Sequence, residues 1–276
     1  SNDSNNIGRF YPKDFNIVAT TPATYNNGYS TFTYVGQLDG IGDGAIDYAV
    51  APTFTYEVRG FNNQTLNNYL SPFNSVPVLS VSISTTTLGS DLVTPLSVTA
   101  NYSSGAIAGP DASNQFTYTF SGLDHFVFNR DANSLVSEFS NNLRHTLTDF
   151  IEPVDSITFS TSSDNTIING SGGTIRYGRF NVLNAFGPET ETLIQTIRAE
   201  YFNGSDFVVN DLDNDTSFNV ISIGTISVVN VGDAGDPLLN TDSTPTGSGT
   251  LNSGESNINW SPTTGGRYGI YQFPYV

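Results

Sequence analysis

The chain has 276 residues, with 26 acidic against 9 basic side chains, a formal charge of −17, and neither Cys nor Met. These counts exclude strong general binding to nucleic acid, which takes clustered Lys and Arg against phosphate, and they exclude disulfides, thiol nucleophiles and Cys-type zinc sites. With His125 and His145 as the only histidines, a His-rich metal centre is all but excluded too.

Along the chain, period-two alternation dominates. After the turn signal Asn26-Asn27-Gly28 and an acidic, Gly-rich stretch at Leu38–Asp47, a strand is predicted with Phe54, Tyr56 and Val58 on one face and Thr53, Thr55 and Glu57 on the other. Asn62-Asn63 marks a turn, Val78–Ser84 alternates again, Leu88–Asp91 is a turn, and Phe116, Tyr118 and Phe120 alternate with Thr117 and Thr119. At Ser134–Asp149 a possible cap, Ser134, precedes Leu135, Phe139, Leu143 and Leu147 at helical spacing, which predicts a short helix; a strand serves nearly as well for His145–Phe150. The segment Ser160–Gly173, poor in apolar residues and rich in turn formers that include Asn169-Gly170, predicts a domain boundary, with a new strand-rich block from Thr174. Phe207–Val209 follows the turn Asn203–Asp206, and Ile223–Val231 is a further strand. Gly232–Asn257 is a long loop or a set of edge strands, and Thr264–Arg267 is the last turn. No repeat points to a solenoid or propeller.

Many short strands with frequent turns predict an all-β chain: two Ig-like antiparallel β-sandwich domains in tandem, at residues 8–165 and 170–276, with at most one short helix. Hydrophobic residues make up only 37% of the chain, but 19 Phe and 14 Tyr supply apolar area for the cores. No apolar run reaches the eighteen or so residues a membrane helix needs. A chain that starts at Ser1 and contains no Met, with one Lys and abundant Asn and Thr, is expected to be a processed or excised part of a larger extracellular, surface-exposed bacterial protein.

Five segments carry a family likeness. Gly8–Phe15 resembles the opening motif, and Ile175–Gly187 the most specific motif, of an uncharacterised C-terminal domain family of MshQ-like proteins, which are associated with the mannose-sensitive haemagglutinin pilus, a type IV pilus. Phe32–Gln37, Arg198–Val209 and Tyr268–Tyr271 are similar to further parts of the pattern and follow in order. The resemblance implies a surface-exposed all-β region C-terminal to lectin-like domains, with a role in adhesion or pilus assembly and no known chemistry. Three features depart from it: Lys13-Asp14 stands in place of an Asp-His pair, the acidic stretch follows Val35-Gly36-Gln37, and the cysteine of the family is absent near Asp211–Ser217.

Two acidic stretches are candidate Ca²⁺ sites. Asp39, Asp43 and Asp47 recur every fourth residue with Gly40, Gly42 and Gly44 between them; carboxylates are hard ligands, and Gly permits the φ angles of a wrapping loop. Asp211, Asp213 and Asp215 begin like an EF-hand loop, but Thr216 and Ser222 occupy the positions that need Gly and Glu, so any calcium there would be a simple inter-strand staple. The alternatives are a solvated Gly-Asp loop and a turn capped by its own Asp and Asn side chains. No catalytic residues are predicted, since Asp124-His125 lies near no Gly-x-Ser-x-Gly elbow and no His-Glu-x-x-His motif exists. The single lysine, Lys13, reads as an exposed residue at a strand start rather than as a partner in a Lys–Asn cross-link. Arg9, Arg176 and Arg179 are expected to have structural carboxylate partners. Tyr201, Phe202, Trp260, Tyr268, Tyr271 and Tyr275 are core residues or, alternatively, a sugar-stacking face. The expected function is a non-enzymatic adhesin or pilus-associated stalk or tip module, with calcium as a candidate stiffening ion, whose partners are other surface or pilus proteins or host and environmental glycans, and neither nucleic acid nor a membrane span. The alternatives are a carbohydrate-binding module and a strand-exchanging subunit of an extracellular filament.

Overall fold

The computed structural model describes residues 12–27, 31–37, 46–69, 77–85, 96–131, 133–160, 166–186, 191–219, 227–229, 243–262 and 270–272. Among these residues the chain is all-β, with 23 strands and no helix. In order they are β1 Asp14–Thr21, β2 Ala23–Tyr25, β3 Phe32–Tyr34, β4 Ile46–Val50, β5 Thr53–Arg59, β6 Val78–Thr85, β7 Val98–Asn101, β8 Ala106–Ala108, β9 Gln115–Thr119, β10 His125–Phe128, β11 Phe139–Ser140 and β12 Leu143–Ile151. There follow β13 Thr166–Ser171, β14 Thr174–Arg176, β15 Gly178–Val182, β16 Leu193–Phe202, β17 Phe207–Val209, β18 Ser217–Asn219, β19 Ser227–Val229, β20 Ser243–Thr246, β21 Ser248–Thr250, β22 Glu255–Pro262 and β23 Ile270–Gln272.

The chain divides into two compact units, Ser1–Ser134 with Phe139–Ile175, and Leu135–Glu138 with Arg176–Val276. In the first unit a four-stranded sheet, β1-β5-β9-β8, packs on a seven-stranded one, β6-β12-β13-β2-β4-β10-β7. Alternation in β5 turns Phe54, Tyr56 and Val58 inward, and the register sets Phe54 opposite Tyr118 and Tyr56 opposite Phe116, both pairs stacked, at 5.1 and 5.5 Å. Phe150, from β12 of the larger sheet, meets them edge-on, 5.4 Å from Phe54 and 4.9 Å from Tyr56, and stacks on Phe159 at 5.2 Å. Fully burying one such ring contributes about 1.5–3 kcal/mol, and edge-to-face contacts add to that. At the rim of this core Asp14 on β1 faces Arg59 on β5, which donates through Nε at 2.8 Å and Nη2 at 3.1 Å in the bidentate geometry suited to carboxylate.

The segment Ser134–Asp149, read as a short helix with a strand as the alternative for its second half, instead holds β11 and most of β12, a strand with a neighbour on each side. A spacing of four is also a multiple of two, so Leu143 and Leu147 satisfy a strand as readily as a helix, and here Leu143, His145 and Leu147 all point into the core. A bulge between Leu147 and Asp149 lets exposed Thr148 bow outward and returns Phe150 to the inner face, an odd step that strict alternation would not allow. The Asn169-Gly170 pair, read as a turn, lies within β13. β13 pairs in parallel with β2, a pairing between segments far apart in sequence. Gly is needed at 170 for close approach, because a Cβ there would stand 2.3 Å from the Tyr25 ring.

The second unit is built on the sheet β15-β16-β22-β20, with β17 paired to the far end of β16, and on the pairs β18–β21 and β19–β23. Its core is Ile197, Ala199, Phe218, Leu251, Ile258 and Trp260. Asn203-Gly204 makes the β16–β17 turn, with Gly204 at φ 105° and Asn203 Oδ1 accepting from the amides of Ser205 and Asp206. Pro245 lies on the edge strand β20, where no ladder amide is required of it.

Candidate functional site

In the first unit a group of tyrosine hydroxyls surrounds His145. This residue sits on the inner face of β12 between Leu143 and Leu147 and is fully buried. Tyr25 of β2 lies 2.6 Å from its Nε2, Tyr48 of β4 lies 3.3 Å from the same nitrogen, and Tyr102, just after β7, lies 2.6 Å from Nδ1. Phe120 and Phe126 close the site, with ring centres 5.5 and 5.4 Å from the imidazole. A neutral imidazole has one N–H donor and one acceptor, and the two short bonds use both. Burial holds the histidine well below its usual value, at about 4, so it is neutral at physiological pH. Burial also raises the Tyr25, Tyr48 and Tyr102 hydroxyls above the ordinary tyrosine range, which keeps them protonated.

Asp124 lies near enough to the same cluster to act electrostatically on Tyr48 and Tyr102. Its Oδ1 accepts from the Ser103 amide at 2.7 Å, while its buried Oδ2 has no hydrogen-bond partner among the described residues. Burial pushes this carboxyl up to about 6, against the lowering effect of the Ser103 and Ser121 amides and of His125. His125, next in sequence, points the other way: Asn101 Nδ2 lies 2.8 Å from its Nε2 and the Leu123 carbonyl 3.2 Å from its Nδ1. Asp124, just before β10, and His125, its first residue, thus bond to different partners. Sequence reasoning missed the Tyr25–Tyr48–Tyr102–His145 group. Its one local signal was a histidine at an inward position between two leucines; its partners come from three other segments.

Asp39 and Asp43 lie outside the described residues. Asp47 is half-buried on β4, opposite His125 of β10. Asp213 is fully buried, and its Oδ1 accepts from the amides of Thr216 at 2.9 Å and Asp215 at 3.3 Å, so this carboxylate caps its own turn. Asp211 and Asp215 are exposed on either side of it, and among the described residues no three His, Asp or Glu side chains converge as metal ligands would. Oδ1 of Asp213 is thus engaged by backbone amides of its own turn.

In the second unit the arginines of the motif at 175–187 are bound into the structure. Arg176 donates through Nε to Glu138 at 2.6 Å and through Nη1 to Asn210, and its guanidinium lies 4.2 Å over the Tyr201 ring. Arg179 pairs with Glu200 at 2.8 Å and stacks on Phe207 at 3.8 Å, while Asn181 donates to the other oxygen of Glu200. Of the C-terminal aromatics, Trp260 is buried and donates to Gln195 Oε1 at 2.8 Å, and Tyr201 lies beneath Arg176; neither belongs to an open platform. The Tyr268 and Tyr275 positions lie outside the described residues. Lys13 is exposed at the start of β1, where it donates to Asn63 Oδ1 at 2.7 Å.

Residues 1–172 match DUF6701, third domain, and residues 176–276 match DUF6701, fourth domain. No curated protein matches the chain. Among solved structures, the chain is similar to the adhesin InvE of Yersinia pseudotuberculosis at 13% identity, with a TM-score of 0.23; the similarity covers 88% of this chain and 51% of that one. The chain thus spans about half the length of that structure. The chain belongs to the DUF6701 family.

Proposed function

We propose that this member of the DUF6701 family is a non-enzymatic module of a bacterial surface adhesin or pilus-associated protein, a stalk or tip segment with the MshQ-like context that its motifs resemble. The observation that carries the reading is the way the conspicuous charged and titratable groups are used. Arg59, Arg176, Arg179, His145 and Asp213 each hold strands or turns together, inside two all-β units with aromatic or aliphatic cores. Such units make stiff spacers, and an acidic surface keeps them soluble and apart. Partners on this reading are other surface or pilus proteins and glycans, and the setting is extracellular.

Two experiments test it. Antibody raised against the purified chain should label intact bacteria that produce the full-length protein, and deletion of the coding segment should lower adherence; unlabelled cells would overturn the proposal. Calcium at Asp39, Asp43 and Asp47, with Asp211, Asp213 and Asp215 as a second position, belongs to the same reading. It predicts that a chelator lowers the melting temperature and that added Ca²⁺ restores it, whereas an unchanged transition would remove the ion from the proposal.

A further inference from the structure

The β5 strand ends in a feature the core does not use. Phe54, Tyr56 and Val58 are buried, the alternation stops at Gly60, and the next residue, Phe61, is 89% exposed. The loop that carries it is tightly closed. The Gly60 amide donates to the Gln64 carbonyl at 2.9 Å, the Asn63 amide to the Gly60 carbonyl at 2.9 Å, and the Leu66 amide to the Val58 carbonyl at 2.8 Å. Asn63 takes a φ of 60°, a conformation asparagine tolerates better than most residues. The Gln64 amide lies over Gly60, where a Cβ would come within 2.7 Å of Nε2. The aromatic ring is therefore presented on a fixed turn, so its backbone has little freedom left to lose on binding.

The surroundings of the ring are chemically uniform. Gly60–Asn68 reads Gly-Phe-Asn-Asn-Gln-Thr-Leu-Asn-Asn: five of nine side chains are amides and none is charged, in a chain of charge −17. Two of these amides are oriented from the protein side. Lys13 Nζ donates to Asn63 Oδ1 at 2.7 Å, and Asn114 Nδ2 donates to Asn67 Oδ1 at 3.1 Å. Both contacts use the carbonyl oxygen and leave the Nδ2 donors of Asn63 and Asn67 for a ligand. N–H donors held on the same loop as an exposed ring match the two faces of a sugar, whose C–H groups stack on aromatics and whose hydroxyls accept from amides. The loop carries no charge of its own, and the two that touch it, Lys13 at Asn63 and Glu57 at Thr65, are of opposite sign, so against the acidic field of the chain nothing here favours acidic glycans or nucleic acid. A lipid surface would have to desolvate the amides without replacing their hydrogen bonds.

We propose that the Phe61 loop, with Asn62, Asn63 and Asn67, binds neutral carbohydrate; the proposal rests on the surface-adhesion reading and gives it a contact site. The test is a glycan array probed with the full chain, containing neutral hexose- and N-acetylhexosamine-terminated oligosaccharides alongside sialylated and sulfated ones. Neutral members bind, the side-chain amide resonances of Asn62, Asn63 and Asn67 shift on titration with a bound oligosaccharide, and Phe61→Ala weakens binding by about tenfold or more with an unchanged melting temperature. Binding only to acidic glycans, no binding to any neutral member, or equal binding by Phe61→Ala each overturns it. Adherence of whole cells separates the two levels. If deletion of the segment lowers adherence and Phe61→Ala does not, the loop is not the contact and the adhesion reading stands; if deletion changes nothing, the adhesion reading itself falls.

Discussion

Acidification from pH 7 to pH 5 is expected to pull the first unit in two directions at once. His145 is held at about 4 in the fold, against an ordinary value near 6.5 when unfolded. Its folded value is depressed, so the unfolded chain takes up the proton first and stability falls as the pH drops from about 6.5 toward 4. Linkage over the range 7 to 5 gives a loss of about 2 kcal/mol. Asp124 has the opposite sign. Its folded value is raised to about 6 from an ordinary value of 3.8, so the folded state takes up the proton first and gains about 1 kcal/mol over the same range. The wild type should therefore change little, and the single variants should diverge. Asp124→Asn removes the gain and exposes the full histidine loss, while His145→Gln removes the loss and should gain stability on acidification. Urea unfolding at pH 7, 6 and 5, followed by near-UV circular dichroism for the tyrosine-rich first unit, reads both slopes. Fluorescence of Trp260 follows the second unit as an internal control, since both histidines lie in the first. Parallel profiles for wild type, Asp124→Asn and His145→Gln would refute the buried-pair reasoning.

Three further outcomes follow from particular contacts. Phe150→Ala removes the ring that joins the two sheets of the first unit and should cost about 3–5 kcal/mol in urea unfolding; a loss below about 1 kcal/mol would contradict its central place. Gly170→Ala drives a methyl into the Tyr25 ring and should destabilise the first unit by about 1–3 kcal/mol, while Gly122→Ala, with no atom within 4 Å of its new Cβ, should be close to neutral. Arg176→Lys keeps the charge but loses the fork that reaches Glu138 and Asn210 and the stacking on Tyr201; the Trp260 transition should fall by about 1–3 kcal/mol, and an unchanged transition would show the cluster to be ornamental.

Which residues form strands, and which face inward, was legible wherever the apolar period was clean. Phe54-Thr-Tyr-Glu-Val58 and Phe116-Thr-Tyr118 point as their alternation predicts, because a pleated strand turns successive side chains to opposite faces whatever its neighbours are. The arginines of the 175–187 motif were legible as structural in kind, although their partners Glu138 and Glu200 were not. Leu143 and Leu147 misled because their spacing fits both periods, and the bulge at Thr148 leaves no mark in composition. Asn169-Gly170 misled for a related reason: the glycine answers to the Tyr25 ring rather than to a turn.

By itself the sequence determined an all-β chain with aromatic cores, an acidic surface and no thiol chemistry, since these depend on residue type and on periods of a few residues. The tertiary structure alone decided which of two histidines is buried, that Tyr25, Tyr48 and Tyr102 meet on one imidazole, that Asp213 caps its own turn, and that Phe61 stands in water while Phe54 does not. The physical reason is that periodicity is a local property of the backbone. Burial and polar contact depend on which distant strands become neighbours, as when β13 comes to lie beside β2, and on where a tightly bonded turn such as Gly60–Gln64 carries the chain out of the sheet.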